Sequence, residues 1–174
     1  MSDTDSKVLI DKKHLLDPSL PGYENLESSF FQTQSAGAPT AQLPSPEEVL
    51  QRNAGDGYGL LKYEELNLVV KYGGHSELRI AGVVAMHAVR QTFSNDDVPV
   101  SELFRWKTYN GQYFIYMELI PGTTLKQAWS DLREVEKASI SARLKQIVAH
   151  LRSAQQSEGQ IVIGAWSSNI KSKT

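Results

Sequence analysis

The sequence contains no cysteine. This absence excludes disulfides, thiolate metal sites and a cysteine nucleophile, and it agrees with an intracellular protein. Long apolar runs are absent too, since none approaches the roughly 18 residues that a membrane span requires. The first residues, MSDTDSKVLIDKK, place acids ahead of a short apolar stretch, unlike an export signal. We therefore expect a soluble, cytoplasmic protein that does not bind a membrane.

An excess of positive charge is also missing. Lysine and arginine total 18 against 20 acidic residues, which gives a net charge of −2. Proteins that bind DNA or RNA neutralise phosphates with a basic surface, so we expect no nucleic-acid partner. With 174 residues, 40% hydrophobic and 22% charged, the chain suits one ordinary globular domain.

Residues 1–44 are predicted to form a mobile leader. From Asp17 to Ala41, Pro, Gly, Ser, Gln and Thr dominate without a sustained period, and Phe30-Phe31 is the only strongly apolar pair in that stretch. Order should begin at Ser45, because Ser45 and Glu48 form a capping box around Pro46. A short helix over residues 46–53 follows.

The next residues predict strands on either side of a buried helix. Strands are expected over 60–63, 66–72, 102–109 and 112–119, with the helix over 76–91. Asn110-Gly111 joins the last two strands as a hairpin, because both residues tolerate positive φ. Asp131 and Glu134 should begin a long amphipathic helix that ends near Gln156. Strands that are neighbours in sequence favour an antiparallel sheet, so the fold class is α+β.

Several stretches together resemble the aminoglycoside phosphotransferase family of the protein kinase-like fold, especially its fungal branch. They are LPSPEEV at 43–49, LVVKYG at 68–73, AMHAVR at 85–90, DVPV at 97–100, FIYMELIPGTTLKQAW at 114–129 and AHLRSAQQ at 149–156. The resemblance covers about residues 43–164. It implies a kinase-like N-terminal lobe over 45–120, then a linker and the first helices of a C-terminal lobe over 121–158, with a divergent tail over 159–174.

Members of this family bind ATP and Mg, and the resemblance implies which residues of this chain would contact the nucleotide. Lys71 would contact the α- and β-phosphates, and the backbone of Glu118, Leu119 and Ile120 would meet adenine. Residue chemistry alone leaves simpler interpretations open. Lys71 then is a solvated strand lysine, and the linker is a hydrophobic strand that ends at the Pro121-Gly122 turn.

Two features depart from the family in this half. Ala81-Gly82 stands where the family commonly has the acid that pairs with the strand lysine. Glu77, more than one turn earlier, is either that partner or a first-turn charge favoured by the helix dipole. The glycines at 55, 57 and 59 follow a predicted helix instead of a strand, so a plain turn is favoured over a phosphate-binding loop.

The residues that phosphoryl transfer needs are missing after Asp131. The family supplies them as a His-x-Asp loop and a second Asp that binds metal, whereas here only Glu134, Glu136 and Glu158 follow. We therefore expect no catalytic residue and no magnesium site in this chain. His14, His75, His87 and His150 show no paired metal-ligand spacing either.

Three hypotheses follow from these patterns. The first is a truncated kinase-like phosphotransferase, in effect a pseudokinase, that at most binds nucleotide weakly. The second is a non-enzymatic interaction module that uses helix 134–156 to bind a partner or a second copy. Its apolar stripe comprises Ile140, Leu144, Ile147, Val148 and Leu151. The third is a shortened product of a gene for an intact enzyme, and replacing Lys71 by Ala separates the first two.

Overall fold

The computed structural model describes residues 7–17, 19, 20, 22, 23, 26–32, 42–53, 57–76 and 78–156. The strands are β1 (Val8–Ile10), β2 (Gly22–Tyr23), β3 (Gly59–Tyr63), β4 (Leu68–Gly73), β5 (Leu103–Tyr109), β6 (Gln112–Glu118) and β7 (Ala154–Gln156). The helices are α1 (Ser29–Gln32), α2 (Pro46–Arg52), α3 (Ile80–Thr92), α4 (Leu125–Ala128) and α5 (Glu134–Ser153), with 3-10 turns at Lys12–His14 and Glu64–Leu66. The predicted α+β class is confirmed.

The chain divides into two compact units. The first combines Met1–Leu16, Ala88–Val100 and Gly122–Thr174, and the second combines Asp17–His87 and Ser101–Pro121. Helix α3 starts in the second unit and ends in the first, because the boundary falls between His87 and Ala88.

A five-stranded sheet organises the second unit. Its strand order is β2-β5-β6-β4-β3, and every neighbouring pair is antiparallel, as the sequence predicted. Strand β4 lies between β3 and β6, and five of its six residues are buried. Hydrogen bonds to β3 and β6 therefore hold β4 along both of its edges and fix which residues lie opposite each other.

One face of this sheet forms the hydrophobic core of the second unit. Its buried side chains are Leu43, Val49, Tyr63, Leu68, Val70, Tyr72, Phe104, Phe114 and Tyr116. Tyr72 and Phe114 stack with ring centroids 5.6 Å apart. Val49 of α2 is fully buried in this core, so the helix predicted from the capping box covers the sheet.

Local sequence signals placed two elements correctly. In α2 the Ser45 hydroxyl accepts from the Glu48 amide, and the Glu48 carboxylate accepts from the Ser45 amide. In the β5-β6 hairpin, Asn110 and Gly111 have φ of 49° and 72°. Both predictions are confirmed, because the signals depend on residues close together in the chain.

The described part of the segment predicted to be a leader contains two strands, a short α-helix and a 3-10 turn, which its composition did not indicate. Strand β1 pairs with β7, β2 pairs with β5, and α1 carries Phe30 and Phe31. Both phenylalanines pack against the core of the second unit, where the Phe30 and Phe104 ring centroids lie 5.1 Å apart. The apolar pair therefore attaches its part of the segment to the sheet.

The first unit contains a two-stranded parallel sheet and the long helix α5. Strand β1 runs parallel to β7, with Val8 opposite Ala154. The sequence predicted helix to about Gln156, so this strand is a correction. Helix α5 ends at Ser153 because residues 154–156 take up backbone pairing with a segment at the other end of the chain.

The start of α5 also differs from its prediction. Its N-cap is Arg133 instead of Asp131, whose amide donates to the carbonyl oxygen of Ala128 in the preceding turn. The Glu136 carboxylate accepts a hydrogen bond from the Arg133 amide at 2.8 Å. The amides at the start of a helix have no acceptor within the helix, so this bond stabilises the helix end. The cap therefore lies two residues later than expected.

Helix α3 begins later than predicted and is buried only in part. It starts at Ile80 instead of near Ser76. Ile80, Val83, Val84 and Ala88 are buried, while Ala81 and Gly82 are exposed. Within the described residues, no helix has the length and apolar character needed to cross a membrane.

Candidate functional site

Lys71 is the only exposed residue of strand β4. It lies opposite Leu60 of β3 and Ile115 of β6. Side chains alternate along a strand, and Val70 and Tyr72 point into the core, so Lys71 lies on the opposite face of the sheet. The structure thus presents its ammonium from the middle of a sheet whose backbone is fixed.

The residues that share a sheet face with Lys71 are mostly apolar and buried. Ile115, Trp106 and Val69 share its face and are at most 8% exposed, while Leu60 is 54% exposed. Lys62, which is exposed and lies opposite Val69, is a second cation on this face. Two exposed lysines therefore lie on the same face of the sheet as these buried apolar residues.

The linker residues lie at the end of β6. Glu118 pairs with Leu68, and its amide donates to the carbonyl oxygen of Glu102 at 2.8 Å. The Leu119 amide donates to the carbonyl oxygen of Asn67, also at 2.8 Å. Ile120 follows with 60% of its surface exposed. Two of the three amides in the predicted adenine contact are therefore already used by the sheet.

Glu77, the possible partner of Lys71, lies outside the described residues, as do Gly55 and the tail from residue 157. Helix α3 itself carries no acidic residue, and Ala81-Gly82 occupies the exposed part of its first turn. Among the described residues, none forms an ion pair with Lys71.

An aromatic row on the Lys71 face was not predicted from the sequence. Tyr23, Trp106 and Tyr113 stack in series, with ring centroids 6.1 Å apart at each step. The Tyr113 hydroxyl hydrogen-bonds to His75 Nδ1 at 2.8 Å, and the two rings meet edge to face. Only the strand pairing brings these residues together, because His75 and Tyr113 are 38 positions apart.

The core face of the sheet carries the perturbed tyrosines. Burial raises the pKa of Tyr63, while the guanidinium of Arg52, 4.5 Å from the ring centroid, acts in the opposite direction. Hydrogen bonds from its own amide and from the Tyr109 hydroxyl lower the pKa of Glu47, and the bond between Glu47 and Tyr109 raises the pKa of Tyr109. These contacts attach α2 to the sheet and lie on the face away from Lys71.

The histidines are dispersed in the described parts of both units. His75 contacts Tyr113, and His150 Nε2 lies 3.7 Å from Asp97 Oδ1. No group of three or more potential metal ligands occurs among the residues with a described position.

Comparison with protein-family models, curated proteins and solved structures found no match to this chain. The resemblance to the aminoglycoside phosphotransferase family therefore stays a prediction from the sequence. In the structure Lys71 lies on β4, and the segment Glu118–Ile120 lies at the end of the neighbouring strand β6.

Proposed function

We propose that the second unit is a kinase-like lobe that binds a nucleotide weakly, with Lys71 at the phosphates and the Glu118–Ile120 backbone at the adenine. The observation that supports this proposal most strongly is the exposure of Lys71 alone in an otherwise buried central strand. The sheet fixes the backbone of Lys71, and its exposed ammonium can meet an anion as a point charge.

The separation between the two contacts suits a nucleotide. Lys71 pairs with Ile115, and Glu118 lies three residues further along β6. At about 3.3 Å per residue this amounts to about 10 Å. An extended nucleoside diphosphate has a similar length, so its base and its phosphates can reach the two contacts together.

The hydrogen bonds of the linker restrict how adenine binds. Since the amides of Glu118 and Leu119 donate within the protein, the proposed base contact uses linker carbonyl oxygens and the amide of Ile120. Fewer backbone contacts mean a weaker complex. The proposal is accordingly one of weak affinity, and it includes ATP as ligand without a magnesium site of the chain's own.

Phosphoryl transfer is not part of the proposal. The transfer needs an acid that positions the acceptor hydroxyl and a carboxylate that binds metal, and residues 132–174 contain no aspartate. We therefore assign binding, and no reaction, to Lys71 and the linker.

The test is a titration of the whole chain with a fluorescent adenosine diphosphate analogue. Lys71→Ala should weaken binding by about 10- to 100-fold, because a hydrogen bond to a charged group contributes about 1.5–3 kcal/mol. Lys107→Ala is the matched control: it removes one positive charge from the same sheet, but on the core face, opposite Phe114. Equal affinity for wild type and Lys71→Ala, or no binding by wild type, would refute the proposal.

A further inference from the structure

The linker at the end of β6 is held on one side by Glu102, the residue that precedes β5. The Glu118 amide donates to the carbonyl oxygen of Glu102 at 2.8 Å. In the other direction, the Glu102 amide donates to the Glu118 carboxylate at 3.1 Å. The position of Glu118 therefore depends on where Glu102 lies.

The carboxylate of Glu102 is bound in turn by Ser29, a residue of the N-terminal segment. The Ser29 amide donates to Oε1 of Glu102 at 3.1 Å, and the Ser29 hydroxyl donates to Oε2. Both carboxylate oxygens thus accept a hydrogen bond from the same residue. Hydrogen bonds to a charged group are about twice as strong as those between neutral groups, so Ser29 fixes this side chain.

The N-terminal segment reaches Glu102 by following β5 backwards. Strand β2 pairs with β5 in antiparallel register, and the Leu26 amide donates to the carbonyl oxygen of Phe104 at 3.2 Å. Ser29 comes three residues after Leu26 and binds Glu102, two residues before Phe104. The segment therefore arrives at the base of the linker at Ser29.

Phe30 and Phe31 anchor this end of the segment. Both pack against the core of the second unit, and the ring centroids of Phe30 and Phe104 lie 5.1 Å apart. Ser29 itself is exposed. The two phenylalanines thus provide the packing, while Ser29 provides the contact to Glu102.

We propose that Ser29 is a positioning residue for the base contact, because through Glu102 it fixes the linker Glu118–Ile120 in the geometry that receives the base. This inference rests on the proposed nucleotide binding. The role of Ser29 is indirect, since it acts on the linker and not on the ligand. A linker that is already held in one conformation loses less freedom when a base binds, which strengthens the complex.

The proposal separates the two ends of the nucleotide. Lys71 is paired with Leu60 and Ile115 in the middle of the sheet, whereas Ser29 acts at the end of β6. Loss of the Ser29 contact should therefore weaken binding of the base and leave binding of the phosphates unchanged. A purely structural role of Ser29 would weaken both together.

Competition titrations of the whole chain against the fluorescent adenosine diphosphate analogue test this difference. The two competitors are unlabelled adenosine diphosphate and inorganic pyrophosphate. Ser29→Ala should weaken binding of adenosine diphosphate by about 2- to 30-fold, the range for residues that act through a chain of contacts. Its affinity for pyrophosphate should equal that of wild type, whereas Lys71→Ala should weaken binding of both competitors.

Three further variants assign the effect to the contact. Ser29→Thr keeps the hydroxyl and should bind adenosine diphosphate like wild type. Ser94→Ala is the matched control, since it removes a serine hydroxyl that donates to the Asp97 carboxylate at 2.7 Å in the first unit. Glu102→Ala removes the carboxylate that Ser29 binds, and adding Ser29→Ala to it should cause no further loss, because both changes break one contact.

Amide hydrogen exchange followed by NMR tests the contact without any nucleotide. Ser29→Ala should speed the exchange of the Glu118 amide, because its acceptor on Glu102 is less firmly held. The amides of β3, at the opposite edge of the sheet from β2, should exchange as in wild type.

The two proposals fail separately. If wild type binds no nucleotide, the nucleotide proposal is refuted, and the exchange measurement still decides whether Ser29 fixes the linker. Three results would overturn the role of Ser29. They are unchanged affinity of Ser29→Ala for adenosine diphosphate, equal weakening for adenosine diphosphate and pyrophosphate, and unchanged exchange of the Glu118 amide.

Discussion

Individual glycines show how the same substitution can have opposite effects in this chain. Gly111 has a φ of +72°, a backbone conformation that residues with a Cβ rarely adopt. Gly82 lies in helix α3 with no atom within 4 Å of where a Cβ would be placed. The first glycine is required by the turn, whereas the second weakens its helix.

We expect Gly111→Ala to lower the free energy of unfolding by about 1–2 kcal/mol, the cost of left-handed backbone with a Cβ. Gly82→Ala should raise it by about 0.5–1 kcal/mol, because alanine loses less backbone entropy in a helix. Urea denaturation of both variants measures the two changes. The explanation fails if the two substitutions shift stability in the same direction.

The candidate site could be predicted from the sequence only in part. The apolar residues around Lys71 in the sequence indicated a lysine on a buried strand. In the structure Lys71 is the one exposed residue of β4. The contact of His75 with Tyr113 has no sequence signal, because it depends on which strands pair and in which register. The hydrogen bonds of the Glu118 and Leu119 amides depend on Glu102 and Asn67, and no local pattern indicates them.

Among the elements, those with local signals were predicted well and those with distant partners were missed. The capping box of α2 and the Asn110-Gly111 turn each act within four residues, and both elements formed where expected. Strand β7 was predicted as helix, because its residues Ala154–Gln156 carry helical periodicity and only the pairing with β1 makes them extended. The N-cap of α5 was predicted at Asp131, but it lies at Arg133, because Glu136 at the third helical position accepts a hydrogen bond from the Arg133 amide.

Helix α5 should lose stability at acidic pH through Glu136. Hydrogen bonds from the Arg133 side chain and amide lower the pKa of this carboxyl below its ordinary value of 4.5. A lowered pKa in the folded state means that the charged form stabilises the helix. This contribution is present above pH 4.5 and disappears as the pH falls through the folded-state value.

The measurement is the thermal melting of Glu136→Gln against wild type at about pH 6 and about pH 3. The variant should melt lower than wild type at the higher pH, and the difference should be smaller at the lower pH, because the Glu136 carboxylate is more often protonated there. Glu65→Gln, an exposed carboxylate on a 3-10 turn of the second unit, controls for loss of one negative charge. A deficit of the same size at both pH values would contradict the assigned role.

At the scale of the whole molecule, burial is unevenly distributed between the two units. Strands β4 and β6 contain residues with no exposed surface, namely Leu68, Val70, Phe114 and Tyr116, whereas no residue of α5 is buried. Segments with few buried contacts open locally at low free energy. The two units should therefore differ in how readily their backbone amides exchange with solvent.

Hydrogen exchange followed by mass spectrometry should show peptides from α5 exchanging much faster than peptides from β4 and β6 in dilute protein. Equal protection of α5 and β4 in dilute protein would show that exposure does not determine the local stability of this helix.

The pairing of β1 with β7 also constrains how the chain folds as it leaves the ribosome. Val8 emerges first, yet its partner Ala154 is added 146 residues later (154 − 8), on the order of ten seconds of synthesis. The five-stranded sheet needs nothing beyond Glu118 and can assemble earlier. During that interval β1 is available to chaperones that bind extended apolar segments. Leu9 is 60% exposed even after β1 has paired with β7.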